Sequence, residues 1–330
     1  MIKLRDIGEL SFIKKVEDLI GKPSKKNVLV SIGDDCAVVK VRGGSILLIS
    51  SDMSVENVHF LSECFPPTAI GWKAMASAWS DIASMGGEPQ WAVVSIALPG
   101  DVSVQRAETI FRGMVESTKY VGGTIVGGDT TSSCDDCIVI DITVIGGAIQ
   151  RRFITRSGAK PGDIVAVTGT LGNSSAGLLA LKQNLPLPEL WRSHWYPIPR
   201  IEEGRWFCSK GCVSAMIDIS DGLVIDAGHI AEMSKIGINL YREKIPVSEE
   251  LKKFCDTYNF DITNFILGGG EEYQLIVTIP KNKWERVREK FNQKFKCLIT
   301  EIGYITDEWQ GVRVDGVKPA IVGYEHFANS

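Results

Sequence analysis

The stretch "PPTAIGWKAMASAWSDIASMGG" (66–87) contains the clearest helix signal in the chain. Pro67 suits the first turn of a helix, Trp72 and Trp79 belong to an apolar set with helical spacing, and Gly86-Gly87 ends the run. A β-rich run, "QWAVVSIALP", follows almost at once. The stretch therefore predicts a core helix followed by a strand, which favours an α/β fold.

The flanking segments extend this pattern in both directions. Towards the N-terminus, residues 11–21 have the spacing of an amphipathic helix, and the β-rich runs "VLVSI", "CAVVKV" and "SILLIS" are separated by glycine and aspartate. Towards the C-terminus, a helix is predicted over 103–120, followed by strands in "GTIVGG" and "CIVIDITVIGGAI". These elements complete a first α/β domain, which we place at 1–150.

A polar segment with glycine and proline, "RRFITRSGAKPGD", marks the predicted boundary, and a second domain is expected over 151–330. Its predicted elements begin with the strand "DIVAVTG", a helix from Asn173, the connection "LPLPELWRSHWYPIP" and another helix. "VSAMIDISDGL" then joins a strand to a helix at 223–235. "GINLY", one helix, the strand "EYQLIVTIP", a helix from Lys281 and short terminal strands complete an α/β or α+β chain of two domains.

Composition is that of an ordinary globular protein. The chain has 330 residues, 44% of them hydrophobic, and a formal net charge of −4 without a basic stripe. These values give no sign of a nucleic-acid or membrane partner. The N-terminal segment has no apolar signal-peptide core, so we expect a cytoplasmic protein whose eight cysteines are mostly buried or in loops.

Acidic residues recur where predicted strands or helices end in polar or glycine-rich turns. They are Asp34, Asp35, Asp52, Asp81, Asp129, Asp218, Asp221, Glu271 and Glu272. Any one of them alone would be explained by the preference of aspartate for turns and caps, and Asp221 has the position of a helix cap. As a set, they are expected to meet at the edge of a sheet.

Asp81 needs a further explanation, because it lies near the C-terminal end of its predicted helix. The helix dipole disfavours an anion there by ~0.3–1 kcal/mol, and no Lys or Arg occurs in the next eight residues. Mg²⁺ prefers such oxygen ligands and phosphate oxygens. Since the chain also lacks the P-loop and kinase glycine motifs, the sequence predicts metal-centred nucleotide binding.

A set of motifs runs along nearly the whole chain. They are "SIGDDCAVV", "SSDMSVENVHF", "GWKAMASAWSDIASMGGEPQWAVVSIALP", "GGTIVGGDTTSS", "RSGAKPGDIVAVTGTLGNSSAGL", "AMIDISDGL", "GGGEEYQLIVT" and "GYEHF". As a set, they resemble the thiamine-monophosphate kinase family, which belongs to an ATP-dependent superfamily that includes aminoimidazole ribonucleotide synthetase, selenophosphate synthetase and a hydrogenase-maturation protein. The resemblance implies the two-domain synthetase-like fold, with N-terminal sheets that pair in a barrel-like homodimer interface and a C-terminal α/β domain that closes the cleft.

The resemblance also implies roles for individual residues. The family's magnesium ligands fall on Asp34, Ser50, Ser51, Asp52, Asp81, Asp129, Asp218 and Asp221. ATP contacts fall on Gly128, Asp129, Arg156 and Ser220, and thiamine-phosphate contacts fall on His59, Glu271 and Tyr324, with Phe327 as the alternative aromatic residue. The implied reaction is direct transfer from ATP to thiamine monophosphate, with several Mg²⁺ ions and with Asp129, Asp218 and Arg156 as the catalytic residues.

Some features depart from the family or leave alternatives open. After "GGDTT" the family commonly continues with Arg-Gly, whereas this chain has "SSCDDC". A reactive cysteine before Gly33 and a C-terminal cysteine are both lacking, which argues against selenophosphate synthetase and the hydrogenase-maturation protein. Aminoimidazole ribonucleotide synthesis, a non-catalytic binding relative and a metal-dependent phosphohydrolase remain alternatives.

Overall fold

The computed structural model describes residues 2–134, 136–321 and 323–327. Its helices are α1 (Leu4–Ile20), α2 (Pro67–Ser84), α3 (Val104–Val121), α4 (Asn173–Lys182), α5 (Pro188–Trp195), α6 (Ile201–Lys210), α7 (Leu223–Ser234), α8 (Glu249–Tyr258), α9 (Ile262–Gly268) and α10 (Trp284–Lys294). Its strands are β1 (Val28–Val30), β2 (Ala37–Lys40), β3 (Ile46–Val55), β4 (Glu88–Leu98), β5 (Thr124–Ser132), β6 (Val139–Gly147), β7 (Ile164–Thr168), β8 (Ala215–Asp218), β9 (Gly237–Leu240), β10 (Leu275–Ile279), β11 (Ile299–Thr306) and β12 (Gly311–Val314).

The first sheet has six strands in the order β1-β2-β3-β6-β4-β5. Its pairs are antiparallel except for β4 and β5, which run parallel. Because successive residues of a strand point to opposite faces, Val94, Ile142 and Val144 face the core below α2, and their neighbours form an open face. Within the described residues, helices therefore cover one side of this sheet and leave the other open.

Helix α2 packs closely against α3 through two glycines. A Cβ on Gly71 would lie 1.9 Å from the carbonyl oxygen of Ile110, and one on Gly113 would lie 1.9 Å from that of Thr68. Trp79 on the same helix is fully buried, as its apolar spacing predicts. The absence of a Cβ at both glycines brings the two helices together.

The second sheet also has six strands, in the order β12-β9-β11-β7-β10-β8. Only β12 and β9 pair in parallel. Every residue of the central strands β7 and β10 is buried, because helices cover both faces and produce two separate hydrophobic clusters. This half therefore has a three-layer architecture.

Helix α2 also contacts the second half of the chain through α6 and β8. A Cβ on Gly204 of α6 would lie 2.0 Å from the carbonyl oxygen of Ala83, so the two helices approach at backbone distance. The Ser80 hydroxyl donates to the Asp218 carboxylate at the end of β8, at 2.5 Å. The last turns of α2, with Asp81, therefore lie at the seam between the two halves.

Several sequence predictions of local structure need correction. The connection "LPLPELWRSHWYPIP" contains a helix, α5, with Pro188 in its first turn and with Leu190 and His194 buried one turn apart. Its proline and tryptophan content hid an amphipathic pattern that packs on α4. The single helix expected after "GINLY" is two helices, α8 and α9. Within the described residues, no helix combines the length and the apolarity that crossing a membrane requires.

A second correction concerns two aspartates. Asp52 and Asp129 were expected where strands end, but β3 continues to Val55 and β5 continues to Ser132. Both strands carry on because their backbones remain paired in the ladder, Asp52 opposite Ile142 and Asp129 opposite Ser95. The side chains are therefore displayed from the sheet face rather than from a turn.

Candidate active-site cleft

A cleft of about 560 Å³ lies at the seam between the two halves and contains most of the predicted site residues. The predicted residues that line it are Ser51, Asp52, His59, Asp81, Arg156, Asp218, Ser220, Asp221, Glu271 and Tyr324. Glu9, Ser77, Tyr273 and His326 also line it. Residues far apart in sequence thus share one solvent-accessible space.

Three carboxylates lie close together in this region, and two of them, Asp35 and Asp218, are buried. Asp35, Asp81 and Asp218 each offer an oxygen, and these oxygens all lie within 4.8 Å of one another. Burial, followed by the charge of neighbouring carboxylates, raises the pKa of Asp81 well above its usual range and raises that of Asp218 to about 7. Such a cluster is poorly stable as three anions, so a bound cation would stabilise it.

Hydroxyl groups hold two members of this cluster in place. Ser50, on β3, donates to Asp81, and Ser80, on α2, donates to Asp218. Asp35 differs, because its Oδ2 is buried and has no hydrogen-bond partner among the described residues. An oxygen in that situation loses its hydration without replacement, and a metal ion would supply the missing partner.

Arg156 pairs with the other oxygen of Asp35. Its Nη2 and Nε lie 2.6 Å and 3.1 Å from Oδ1, and its backbone N–H donates to the Asp34 carboxylate at 3.2 Å. Burial and the neighbouring Asp35 charge raise the pKa of Asp34 to about 6. The predicted phosphate clamp is therefore already oriented by the "GDD" turn.

A second group that could hold a cation lies at the start of α7. Asp221, Asp226 and His229 offer ligand atoms within 4.8 Å of one another. The Asp226 carboxylate also accepts the backbone N–H groups of Ser220, Asp221 and Gly222. Burial, and then the charge of Glu9, raises the pKa of Asp221 to about 6.

The predicted thiamine-phosphate residues occupy another part of the cleft. His59 accepts the Val55 backbone N–H through Nδ1 at 3.0 Å, and its ring centroid lies 5.3 Å from that of His326. The Tyr324 hydroxyl lies 3.3 Å from His326 Nδ1, and its backbone N–H donates to the Asp221 carbonyl. Phe327, the alternative aromatic residue, is about half exposed and does not line the cleft.

Comparison with known proteins places this geometry in a family. The models for the N-terminal and C-terminal domains of AIR synthase related proteins match residues 33–148 and 160–316. The thiamine-monophosphate kinase of Aquifex aeolicus is 37% identical over 99% of this chain and all of that protein. That of Bacillus subtilis is 34% identical over 91% of this chain and 94% of that protein. The chain belongs to the thiamine-monophosphate kinase family.

Solved structures confirm the predicted two-domain synthetase-like fold. A structure described as AaThiL complexed with AMPPCP and TMP superposes with a TM-score of 0.87, at 35% identity over 99% of each chain. A thiamine monophosphate kinase from Aquifex aeolicus gives a TM-score of 0.81 at 34% identity, over 96% of this chain and 99% of that one. The hydrogenase maturation protein HypE of Escherichia coli, at 22% identity over 96% of each chain, shares the fold with a TM-score of 0.70.

Two residues with roles implied by the thiamine-monophosphate kinase resemblance lie away from the cleft. Gly128 and Asp129 lie on β5, the edge strand of the first sheet, and both are exposed. The Asp129 carboxylate accepts the N–H of Thr130 at 2.9 Å. A Cβ on Gly128 would lie 1.8 Å from the Val94 carbonyl oxygen, so close strand approach alone explains this glycine.

Strand alternation also divides the predicted metal ligands of β3. Ser50 and Asp52 point towards α2, whereas the Ser51 hydroxyl lies 3.1 Å from both Asp141 and Thr143 on the open face. Burial raises the pKa of Asp52. The three consecutive residues therefore cannot all present side chains to one ion.

Sequence reasoning missed several residues of this family member's cleft region. Asp35 was recognised as part of the acidic set but was given no role, although its place beside Asp34 was a usable signal. Lys73 is buried in α2, and its signal was a lone charge within the apolar run "GWKAMASAW". His194 had no local signal, because Lys73 lies 121 positions away in sequence. Asp226 was overlooked although its backbone donors, Ser220, Asp221 and Gly222, lie only four to six positions before it.

Proposed function

We propose that this protein transfers the γ-phosphoryl group of ATP to thiamine monophosphate, which yields ADP and thiamine diphosphate. The observation that carries the proposal is a single cleft lined both by the carboxylate and arginine group and by the predicted substrate group. The first group contributes Asp81, Arg156 and Asp218, and the second contributes His59, Glu271 and Tyr324. Family membership and the relative described as complexed with AMPPCP and TMP support the same assignment.

Magnesium is part of the proposal. The donor set consists of carboxylate oxygens, which suit Mg²⁺, and the buried Asp35 Oδ2 without a partner in the described structure fits a site completed by a cation. We assign this site to Asp35, Asp81 and Asp218, with Asp34, Ser50, Asp52 and Asp221 nearby. Mg²⁺ held by these residues would neutralise the phosphate charges and withdraw electrons from the transferred group.

The protein's own residues then supply binding and orientation. The acceptor phosphate is already an anion near pH 7, so transfer needs no strong general base. An oxygen of thiamine monophosphate forms the new bond to the γ-phosphorus while the bond to the β,γ-bridging oxygen breaks, and ADP leaves with that electron pair. Arg156 uses two of its five N–H donors on Asp35, which leaves donors for a phosphate.

A homodimer is the second part of the proposal. On the open face of the first sheet, 36–57% of the surface of each of four apolar residues is exposed: Met53, Trp91, Val93 and Val126. A group of apolar side chains of this size is unusual on a face that contacts only solvent. Asp129 aligns across the strands of this face with Ser95, Asp141 and Met53. In this proposal, Asp129 and Gly128 contact the nucleotide across this face, with a second copy of the chain paired on it.

The domain division at 150/151 and a cytoplasmic location complete the proposal. The segment 148–163 carries the chain from the first sheet to the second and lies outside the named strands and helices of both. ATP as co-substrate fits a cytoplasmic protein. Neither point affects the chemistry assigned to the cleft.

An end-point assay tests the proposed reaction. Purified protein is incubated with ATP, Mg²⁺ and thiamine monophosphate, and thiamine diphosphate, ADP and free phosphate are separated, with controls that lack metal or acceptor. Equal amounts of thiamine diphosphate and ADP are expected. Phosphate release that does not need the acceptor would instead identify a phosphohydrolase, and binding without turnover would identify a non-catalytic relative.

A further inference from the structure

Lys73, near the middle of α2, has all three ammonium hydrogens engaged although its side chain is almost completely buried. Its Nζ lies 2.7 Å from Glu271 Oε1, 3.0 Å from the His59 carbonyl oxygen and 3.2 Å from His194 Nε2. An ammonium group has three donors and no acceptor, so these three contacts satisfy it completely. These three acceptors, here called the Lys73 cage, therefore replace solvent as the partners of the buried charge.

The cage also determines the tautomer of His194. Because Lys73 can only donate, Nε2 must accept, and the ring proton is placed on Nδ1. Nδ1 lies 3.0 Å from the Ser174 hydroxyl and 3.6 Å from Glu271 Oε2. Burial, and then the Lys73 charge, lowers the pKa of His194 far below its usual range, in agreement with a neutral ring.

Two of the residues that contact Lys73, Glu271 and His59, also line the cleft. Glu271 has a φ of 58°, which residues with a side chain rarely adopt. Its backbone N–H donates to the carbonyl oxygen of Ser220 at 2.7 Å. Its carboxylate is one-quarter exposed, and Oε1 is taken by Lys73. Oε2 is then the oxygen available to a ligand in the cleft, while the same ammonium fixes the backbone of His59.

We infer that Lys73 is a positioning residue for thiamine monophosphate, since it holds Glu271 and the His59 backbone in one fixed relation at the substrate end of the cleft. The inference rests on the proposed function. Glu271 Oε2 would then meet an N–H donor or the cationic ring of the thiamine moiety. Lys73 itself does not line the cleft and acts through these two residues.

Helix α2 gives this arrangement a second consequence. Lys73 and Asp81 are eight residues apart on one helix, which corresponds to roughly 12 Å along its axis. Helix α2 therefore carries both Lys73, which holds residues at the substrate end of the cleft, and Asp81, a carboxylate at the phosphate end. Removal of the Lys73 ammonium group should loosen the substrate end and leave Asp81 in place.

Steady-state kinetics of Lys73→Met tests the inference. The KM for thiamine monophosphate should rise by about tenfold or more, because a fixed contact to a charged group is lost. The KM for ATP should stay within about twofold of the wild type. In a Glu271→Gln background, Lys73→Met should have a much smaller effect on the first KM, since the group that it positions is already altered.

A second variant keeps the test decisive if Lys73→Met does not fold. His194→Leu removes one acceptor from Lys73 without touching the cleft, and it should shift the same KM in the same direction by a smaller factor. Arg205→Met is the matched control, because Arg205 also joins the two halves through Glu88 at 3.0 Å but lies outside the cleft. Both KM values should be unchanged in that variant.

The outcomes separate the inference from the proposed function. Circular dichroism and thermal unfolding first establish which variants are folded, and His194→Leu decides if Lys73→Met is not. Equal changes in both KM values, or no change in either, would overturn the positioning role while leaving the kinase assignment intact. A wild-type protein that makes no thiamine diphosphate would overturn both.

Discussion

The two carboxylate oxygens of Asp35 differ in their surroundings. Oδ1 accepts from the Arg156 guanidinium, whereas Oδ2 is buried without a partner in the part of the chain described, and the residue belongs to the cluster with Asp81 and Asp218. One residue thus joins the proposed phosphate clamp to the proposed metal site. A change at Asp35 should affect the binding of metal even before any substrate is added.

We expect Asp35→Asn to weaken Mn²⁺ binding by about tenfold or more, because the variant loses a negative charge at the ion and the orientation of Arg156. Isothermal calorimetry of Mn²⁺ with the nucleotide-free protein measures this effect. Asp101→Asn, at an exposed position, is the control with the same chemical change. An unaltered Mn²⁺ affinity in Asp35→Asn would exclude Asp35 from the metal site.

The raised carboxylate pKa values predict how the stability of the metal-free protein depends on pH. Asp218, at about 7, and Asp34, at about 6, hold protons in the folded state that the unfolded chain, with values near ~4, has released. Their stabilising contribution is therefore complete below pH ~4 and is lost as pH rises towards 7.

The melting temperature of protein treated with a chelator should accordingly fall between pH 5 and pH 7.5. Added Mg²⁺ should raise it more at pH 7.5 than at pH 5, because protonated carboxylates bind the ion poorly. Asp218→Asn should flatten the metal-free profile, since a carboxyl group whose pKa is raised to about 7 no longer titrates. A wild-type melting temperature that rises over this range would contradict the assignment.

At this scale the sequence predicted residues with strong local signals and missed those defined by distant contacts. Asp81 was placed correctly near the end of its helix, because helical spacing is a local property. Two partners explain the environment of Asp81. Ser50 lies 31 positions before it, and Asp218 lies in the other half of the chain. Lys73 was overlooked because three acceptors from separate segments justify its burial, and none is visible in α2 alone.

At the scale of elements, the packing of α2 against α3 determines where the cleft residues of α2 lie. Gly71→Ala would place a methyl group 1.9 Å from the Ile110 carbonyl oxygen, which is backbone and cannot rotate away. We expect the free energy of unfolding to fall by about 2–3 kcal/mol or more, as for other overpacked sites. Urea denaturation measures the change.

Gly228→Ala is the matched control for this prediction. Gly228 is also a helix glycine, in α7, but a Cβ there meets nothing within 4 Å. The variant should be neutral or more stable by about 0.5–1 kcal/mol, because alanine favours the helix. Equal effects of the two variants would mean that glycine propensity, rather than contact with α3, governs this position.

The lengths and number of elements were only partly predictable. Helix α2 was recognised because its apolar spacing, its N-terminal proline and its C-terminal glycines agree. Helix α5 was missed because prolines flank a segment of only eight residues, which is too short for a clear period. Strands β3 and β5 extend past Asp52 and Asp129 because pairing with β6 and β4 outweighs the low strand preference of aspartate.

At the scale of the whole molecule, Asp129 lies on the open face of the first sheet and is separated from β3 by β4 and β6. Three strand spacings amount to roughly 14 Å, so its carboxylate cannot join a site next to Asp52 within one chain by a rotamer change alone. If Asp129 has a role in catalysis, its site is expected to be completed by a second copy. The isologous pairing of two open faces would supply it in both directions.

Mixing two inactive variants provides a direct test of this arrangement. Asp129→Ala and Asp218→Ala should each abolish transfer, but a dimer with one chain of each type would contain one intact site if Asp129 serves the partner. After co-refolding of equal amounts, half of the dimers are mixed, and about a quarter of the wild-type activity should return. Asp81→Ala with Asp218→Ala is the control, because both residues belong to one cleft and no mixed dimer contains an intact site. Failure of the first pair to recover activity, with dimers verified by light scattering, would show that Asp129 does not serve the partner's site, and recovery would establish that each site needs both chains.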